Sequence, residues 1–318
     1  MNFVSRSEKK RNEDALIIAH TPKQPISKQI VNAQDVFTIR VDEHPNLWIV
    51  ADGASGLTQA DHMHVASDAA WFSHFLCHYL ADHNDQTKTL STLLSEACLC
   101  AKSQFEDCPE LEQPSCAIAI LRKNESHQCF DYLLLGDCVL FIQIKDAQTS
   151  MPSYLKITDD RIADFDHLAI DEMMRLAKQK NESPVIQRPF VQSILIQNRS
   201  QKNKPNGYAI ADLSNDWLHQ EITGSIMMDQ LQHAALYSDG FDQLQSFLAL
   251  DNQQFGEYLF SHHAQDLVDQ LFQFQEEDSH CSRLPRLKKR DDTSLILTID
   301  NMKGPPALQN VDLDGYLK

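Results

Sequence analysis

Four short acidic motifs punctuate the chain: Asn12-Glu13-Asp14-Ala15, Ala51-Asp52-Gly53-Ala54-Ser55-Gly56, Ser238-Asp239-Gly240-Phe241 and Asp291-Asp292-Thr293-Ser294. Each adjoins an apolar run. Leu16-Ile17-Ile18 follows the first, Leu47-Trp48-Ile49-Val50 precedes the second, Ala234-Ala235-Leu236-Tyr237 precedes the third, and Leu295-Ile296-Leu297 follows the fourth. Short apolar runs bounded by turn residues read as buried strands. A carboxylate at the end of such a strand is costly to leave unpaired. Several at one sheet rim repel each other unless cations lie between them. Oxygen donors of this kind select hard ions such as Mg²⁺ and Mn²⁺. The pattern points to a multi-metal site. Taken singly, Asp14, Asp52, Asp239 and Asp291 also read as turn or capping carboxylates; the ordered set favours ligands.

The elements that must position these residues follow from hydrophobic periodicity. Residues 15–19 and 36–50 read as strands around a polar loop with Pro22 and Pro25. Val65, Ala69, Phe72, Leu76 and Leu80 mark an amphipathic helix over 65–80, and Leu90, Leu94, Ala97, Ala101 and Phe105 a second over 88–106. Strands are predicted near 116–121, 130–135 and 138–144, a helix over 162–180 capped by Asp159-Asp160, and loop over 197–207. Residues 244–276 read as mostly helical, with Leu244, Phe247, Leu248, Phe255, Leu259, Leu267, Leu271 and Phe274 as core, and 294–299 as a closing strand. Strands, then two helices, then more strands predict sheets covered by helices. The sequence contains no internal repeat and no domain linker.

The chain has 318 residues, 42% of them hydrophobic, enough for a sizeable core. Its net charge of −17 argues against nucleic acid and anionic membrane as main partners. No run of 18 apolar residues occurs, and Met1-Asn2-Phe3-Val4-Ser5-Arg6 lacks the apolar stretch of a signal peptide. The eight cysteines (77, 98, 100, 108, 116, 129, 138 and 281) form no Cys-x-x-Cys pair, and Cys98-x-Cys100 has no nearby ligand cluster. Most fall in apolar segments and read as small buried hydrophobes, consistent with a reducing cytoplasm.

In this order the acidic motifs resemble those of the metal-dependent serine/threonine protein phosphatases, the PPM or type 2C family. Leu133-Leu134-Leu135-Gly136-Asp137-Cys138-Val139-Leu140 resembles that family's Gly-Asp-Ser strand pair, and Ser115-Cys116-Ala117 its Gly-Ser-Thr strand. The resemblance runs from about residue 9 to 299. It implies an α+β fold: a four-layer α-β-β-α sandwich with two central, mainly antiparallel sheets flanked by helices. It implies one phosphatase domain over 1–300, with a variable insertion or flap at 151–206 and a tail at 301–318. The activity implied is hydrolysis of phosphoserine and phosphothreonine in proteins by a metal-activated water, with no phosphoenzyme.

The cofactors implied are two Mn²⁺ or Mg²⁺ ions, with a third, weaker one. By the same resemblance Asp14, Asp52, Asp239 and Asp291 are the catalytic set. Asp52 bridges two ions, Asp239 and Asp291 complete one shell, and the Gly53 carbonyl holds the other ion with Asp14 and Glu13. Asp137 matches the carboxylate for the third ion. Asp292, where the family usually has Asn, is either a hydrogen-bond acceptor or an aid to that ion. Implied partners are phosphorylated proteins and a cognate serine/threonine kinase, with the chain a monomer.

Two positions depart from the family pattern. Lys9 stands where an Arg often grips substrate phosphate; lysine lacks the bidentate fork, and Arg11 is the alternative contact. The segment also reads as a solvated basic stretch. Ala54 stands where some members have a His proposed as general acid. His62 and His64 are near in sequence, and read more simply as surface or helix-start histidines. Arg283, Arg286, Lys288, Lys289 and Arg290 lead into Asp291 and read equally as a guide for phosphorylated substrates or as a solvated loop. Asp312-Leu313-Asp314-Gly315 looks like an aspartate-nucleophile motif but has three residues after it, and no G-x-x-x-x-G-K-[ST] loop occurs. The departures keep two other functions open: a catalytically weak phosphoprotein-binding scaffold or sensor, and a two-metal phosphatase of small phosphorylated metabolites.

Overall fold

A computed structural model describes residues 2–7, 13–19, 40–41, 45–54, 62–65, 67–105, 108–145 and 152–298. Their apolar runs pair into two sheets. One has the order β1 (Asn2–Arg6), β12 (Thr293–Thr298), β11 (Leu231–Tyr237), β7 (Val139–Lys145), β8 (Pro152–Ile157), antiparallel throughout. The other has the order β10 (Ile222–Met227), β6 (Cys129–Leu135), β5 (Ser115–Asn124), β4 (Leu47–Ala54), β2 (Asp14–Ala19), β3 (Arg40–Val41), with β9 (Ala211–Asp212) added to β5. Only β2 and β3 run parallel among the described pairs.

Strand side chains alternate between faces, so a run apolar at every position has a core on each side. In β4, Leu47, Ile49 and Ala51 meet the helices, while Trp48 and Val50 meet the other sheet. The layer between the sheets packs Leu16, Ile18 and Val50 with Leu140, Leu236 and Ile296. Helices α1 (Asp68–Asp82) and α2 (Leu90–Lys102) cover the first face with Trp71, Phe72, Phe75 and Leu94. Helices α5 (Asp239–Leu248), α6 (Asn252–Leu259) and α7 (Ala264–Glu277) cover the opposite face with Phe241, Phe255, Leu267 and Leu271. The four-layer α-β-β-α sandwich expected from the motifs is the observed architecture. Among the described residues no helix is long and apolar enough to cross a membrane.

Several elements differ from the sequence reading. Residues 36–50 are not one strand: β3 and β4 are separate, and the rest of 36–44 lies outside the described residues. Strands β1, β8 and β10 carry too little continuous apolar sequence to stand out, although Ile222 and Ile226 keep the period of two and pack against the inter-sheet core. The helix predicted over 162–180 is α3 (Arg161–Lys180), followed by a 3₁₀ helix (Pro184–Val191) and α4 (Gln192–Arg199). The last turn of α4 takes up residues 197–199, which read as loop. The helical stretch 244–276 is three helices. Ala249, left-handed at φ 53°, ends α5, and an Asp251/Gln254 capping box starts α6.

The loop from α7 to β12 delivers Asp291, and Asp278 shapes it. Its Oδ1 accepts the N–H groups of Ser282 and Arg283, both at 2.9 Å, and its Oδ2 accepts Leu284 N–H at 3.1 Å and Arg286 Nη1 at 2.6 Å. Burial works against the charge, but the backbone donors and Arg286 hold the carboxyl below its usual range. A carboxyl lowered on folding stabilises above its unfolded pKa, and that stability is lost as pH falls through the lowered folded value. Asp278→Ala is therefore expected to destabilise the fold by about 3 kcal/mol at neutral pH. Urea unfolding at descending pH should show the gap between wild type and variant closing below the ordinary Asp range.

Candidate functional site

The register of β2 on β4 sets Asp14 directly opposite Asp52. Asp14 is buried, and its Oδ2 accepts a hydrogen bond from Ser238 Oγ at 2.7 Å. Ser238 follows β11, donates its N–H to Ser294 O at 3.1 Å, and accepts Ser294 N–H on its Oγ at 3.0 Å. One serine thus ties the carboxylate of one sheet to two strands of the other, and Asp239 follows it as the first residue of α5. Gly53 donates its N–H to Glu13 O at 3.0 Å, and a Cβ there would lie 2.7 Å from both Glu13 O and Ala69 O, so only glycine fits. The turn from β6 to β7 places Asp137 through Gly136 at φ +72°.

These elements open into a cavity of about 540 Å³. Glu13, Asp52, Gly53, Asp137, Asp239 and Asp291 line its sheet side. The 3₁₀ helix, α3 and α4 supply further lining through Arg188, Ile162, Asp166, Ile170, Leu195 and Arg199. Arg199 Nη1 donates to Ser115 Oγ at 2.7 Å and to Ala54 O at 3.4 Å, which fastens α4 to the ends of β4 and β5. Asn198 donates to Phe165 O at 2.6 Å and joins α4 to α3.

The electrostatics of the sheet side are those of crowded like charges. Removal from bulk water raises the Asp52 carboxyl well above its ordinary range, and the charges of Asp14 and Asp239 raise it further. Asp14 is raised first by burial and then by Asp292. Asp137 is raised by burial, Asp239 and Asp166, and Asp239 by burial and Asp291. Asp166 is pushed up to about 6, by burial first and then by Asp239, with Lys288 opposing. Lys288 Nζ lies 2.7 and 2.8 Å from the two oxygens of Asp291.

The residues picked from sequence divide by place. Glu13, Asp52, Gly53, Asp137, Asp239 and Asp291 share the cavity. Asp14 lies beneath them, held by Ser238, and does not line it. Asp292 turns to Ser7 Oγ and to the N–H of Glu13 at 2.9 Å, as a strut for the start of β2. Lys9 and Arg11 lie outside the described residues. His62 pairs with Glu112 at 3.1 Å, and neither it nor His64 lines the cavity. The basic run has internal partners. Arg286 is buried on Asp278, the Arg283 guanidinium stacks 5.5 Å from Phe274, and Lys289 and Arg290 pair with Glu276 at 3.0 and 2.7 Å.

Sequence reading missed Ser238, Asp166, Arg188 and Arg199. Asp166 carried a signal: it stands between Ile162 and Ile170 at helical spacing, a carboxylate on an apolar face. Six of the eight cysteines are buried, as their settings predicted, and none forms a disulfide.

The site's donors are all oxygen, and Asp239 Oδ1 is buried without a hydrogen-bond partner, which fits a hard divalent cation in kind. As they stand, no three His, Cys, Asp or Glu side chains among the described residues are close enough to hold one ion together.

No family model matches the chain, and no curated protein matches it. Solved structures resemble it over most of its length. The serine/threonine phosphatase of S. agalactiae is 11% identical, with 94% of this chain and 98% of that chain covered and a TM-score of 0.48. The serine/threonine phosphatase Stp1 from Staphylococcus aureus is 12% identical, with 93% and 94% covered and a TM-score of 0.46. The catalytic domain of the serine/threonine protein phosphatase PstP, in complex with 2 manganese ions, is 14% identical, with 93% and 96% covered and a TM-score of 0.42.

The Ser238 junction generates a stability prediction. Ser238→Ala leaves Asp14 Oδ2 and Ser294 N–H without this partner in a dry interior and is expected to cost about 1–3 kcal/mol. Urea denaturation of the variant, with Ser238→Thr as the hydroxyl-retaining control, measures it.

Proposed function

We propose that this chain is a metal-dependent phosphatase that hydrolyses phosphoserine and phosphothreonine in proteins without forming a phosphoenzyme. The observation that carries the reading is the convergence of carboxylates from both sheets on one cavity: Glu13 and Asp52 from one, Asp239 and Asp291 from the other. Asp52, Asp239, Asp291, Glu13 and the Gly53 carbonyl are the residues that would hold a pair of Mn²⁺ or Mg²⁺ ions, with Asp137 for a third. Such ions neutralise the acidic floor, bind phosphoryl oxygens and make water acidic enough to ionise near neutral pH.

The protein's own part is positional. Ser238 fixes Asp14 behind Asp52, and Asp292 fixes the backbone of Glu13. The turn at Gly136 sets Asp137 at the rim. Ile162, Ile170 and Leu195 give part of the cavity an apolar lining. No residue with the chemistry of a Ser or Cys nucleophile is needed, and the buried thiols of Cys116 and Cys138 are raised well above their ordinary range by burial.

A second reading, binding of phosphoproteins without turnover, is favoured by one contact: the Lys288 ammonium already neutralises both oxygens of Asp291.

Hydrolysis of p-nitrophenyl phosphate and of a phosphothreonine peptide separates the two. The expected outcome is activity with Mn²⁺, none with EDTA, and a loss of roughly a hundredfold or more in kcat for Asp52→Asn. A folded wild type that is inactive with every divalent ion overturns the phosphatase reading in favour of the second. Calorimetric titration is an independent check. Mn²⁺ at a hundredfold excess over its dissociation constant is expected to stabilise the wild type by about 2.7 kcal/mol, and Asp52→Asn should lose most of that gain.

A further inference from the structure

We propose that Arg188, which lines the same cavity as the carboxylates, grips the phosphoryl group of the substrate; the assignment rests on the phosphatase reading above and names a residue of that same site. The observation is a partnerless cation. Arg188 lines the cavity, its Nε is buried without an acceptor, and it makes no hydrogen bond, ion pair or ring contact with any described residue. In a chain of net charge −17 that is unusual.

The other cations on the cavity wall are engaged. Arg286 is held by Asp278 at 2.6 Å and by backbone carbonyls of Leu284 and Asp278. Lys288 is held by both oxygens of Asp291. Arg199 spends Nη1 on Ser115 Oγ and Ala54 O.

A guanidinium cannot shed its proton to escape the cost of burial. A buried N–H without an acceptor is costly, so the arrangement is stabilised by a ligand that brings acceptors. The planar fork selects ligands with paired anionic oxygens, carboxylate or phosphate. None of the carboxylates lining the cavity, Asp166 among them, forms an ion pair with it. A phosphoryl group is the ligand whose oxygens can face the arginine on one side and cations held by the carboxylates on the other. Without positive charge on the wall, an anion entering this cavity meets an excess of carboxylates.

The mounting of Arg188 is rigid. Pro189 follows it and fixes φ at the next position. Gln187, before it, is buried and bonded to Lys180 at 3.1 Å and Glu182 at 2.7 Å. Val191 and Leu195 pack with Ala169 and Met173 of α3 in a small core of their own, with Leu287 against it. The backbone carrying Arg188 is thereby held on a packed 3₁₀ helix, so the side chain starts from a fixed position.

The test compares wild type, Arg188→Ala and Arg188→Lys as Mn²⁺-loaded full-length proteins, checked for folding by circular dichroism. The readouts are KM and kcat on a phosphothreonine peptide, and calorimetric binding of inorganic phosphate. The expected result for Arg188→Ala is a rise of about tenfold or more in both KM and the phosphate dissociation constant, with partial recovery in Arg188→Lys. A wild type that turns over peptide while Arg188→Ala matches it in KM and phosphate affinity overturns the assignment and leaves the phosphatase reading standing. A loss confined to kcat also overturns it. A wild type that binds phosphate in an Arg188-dependent way but hydrolyses nothing supports the grip and overturns turnover.

Discussion

Like charges forced together at the rim of two buried sheets are the constraint on which the rest of this structure depends. Hydrophobic packing decides the strand registers. Leu16, Ile18 and Val50 must face the other sheet, and Ile17, Ile49 and Ala51 the helices. A one-residue slip would reverse both faces at once. Once that register is set, Asp14 and Asp52 stand opposite each other whatever the electrostatic cost. The inter-sheet layer then brings β11 and β12 alongside, and with them Asp239 and Asp291. Folded proteins keep a margin of only about 5–15 kcal/mol, so carboxylates raised this far by burial and mutual repulsion draw on stability made elsewhere.

The surroundings show how that cost is contained. Each acid that does not line the cavity is tied to neutral donors: Asp14 to the Ser238 hydroxyl, Asp292 to the Ser7 hydroxyl and the Glu13 N–H. At the rim, Glu13 accepts the Ser67 hydroxyl at 2.7 Å beside the start of α1, and Asp291 takes the Lys288 ammonium. The loop carrying Lys288 is shaped by a different acid, Asp278, which does not line the cavity and is held by three backbone hydrogen bonds and Arg286. The five basic residues before Asp291 are therefore mostly structural, which their sequence could not reveal: their partners, Asp278, Glu276 and the Phe247 and Phe274 rings, come from α7, the residue that ends it, and α5.

What was legible in the sequence was legible because two signals coincided. Asp52, Asp239 and Asp291 each abut a run apolar enough to mark a strand buried on both faces, so chemistry and position were read together. β1, β8 and β10 lacked that marker because they sit at sheet edges and carry few fully buried side chains. Ser238 was hidden for a different reason. Its role needs the pairing of β11 with β12 and the stacking of one sheet on the other, and neither is local in sequence. Arg188 and Arg199 were hidden because the segment holding them has its own small core of Ala169, Met173, Val191 and Leu195, too short a pattern to announce which face it turns to the site.

That placement gives the site a division of labour. The sheets, rigid and buried on both sides, hold negative oxygen atoms in fixed relation. The segment from α3 to α4, packed separately and fastened by Arg199 to Ser115 and Ala54, brings positive charge over them. A phosphate monoester carries negative oxygens of its own, so the sheet side alone would repel it. The proposed phosphatase reading calls for cations around the phosphoryl group: exchangeable ions among the carboxylates, and the Arg188 guanidinium. The two supplies respond differently to the medium. Bound ions are lost to chelators and to acid, whereas arginine stays charged at any pH the fold survives. On the proposed reading, attraction for anions from the arginines persists when the ions are removed, so phosphate binding and turnover separate under chelation.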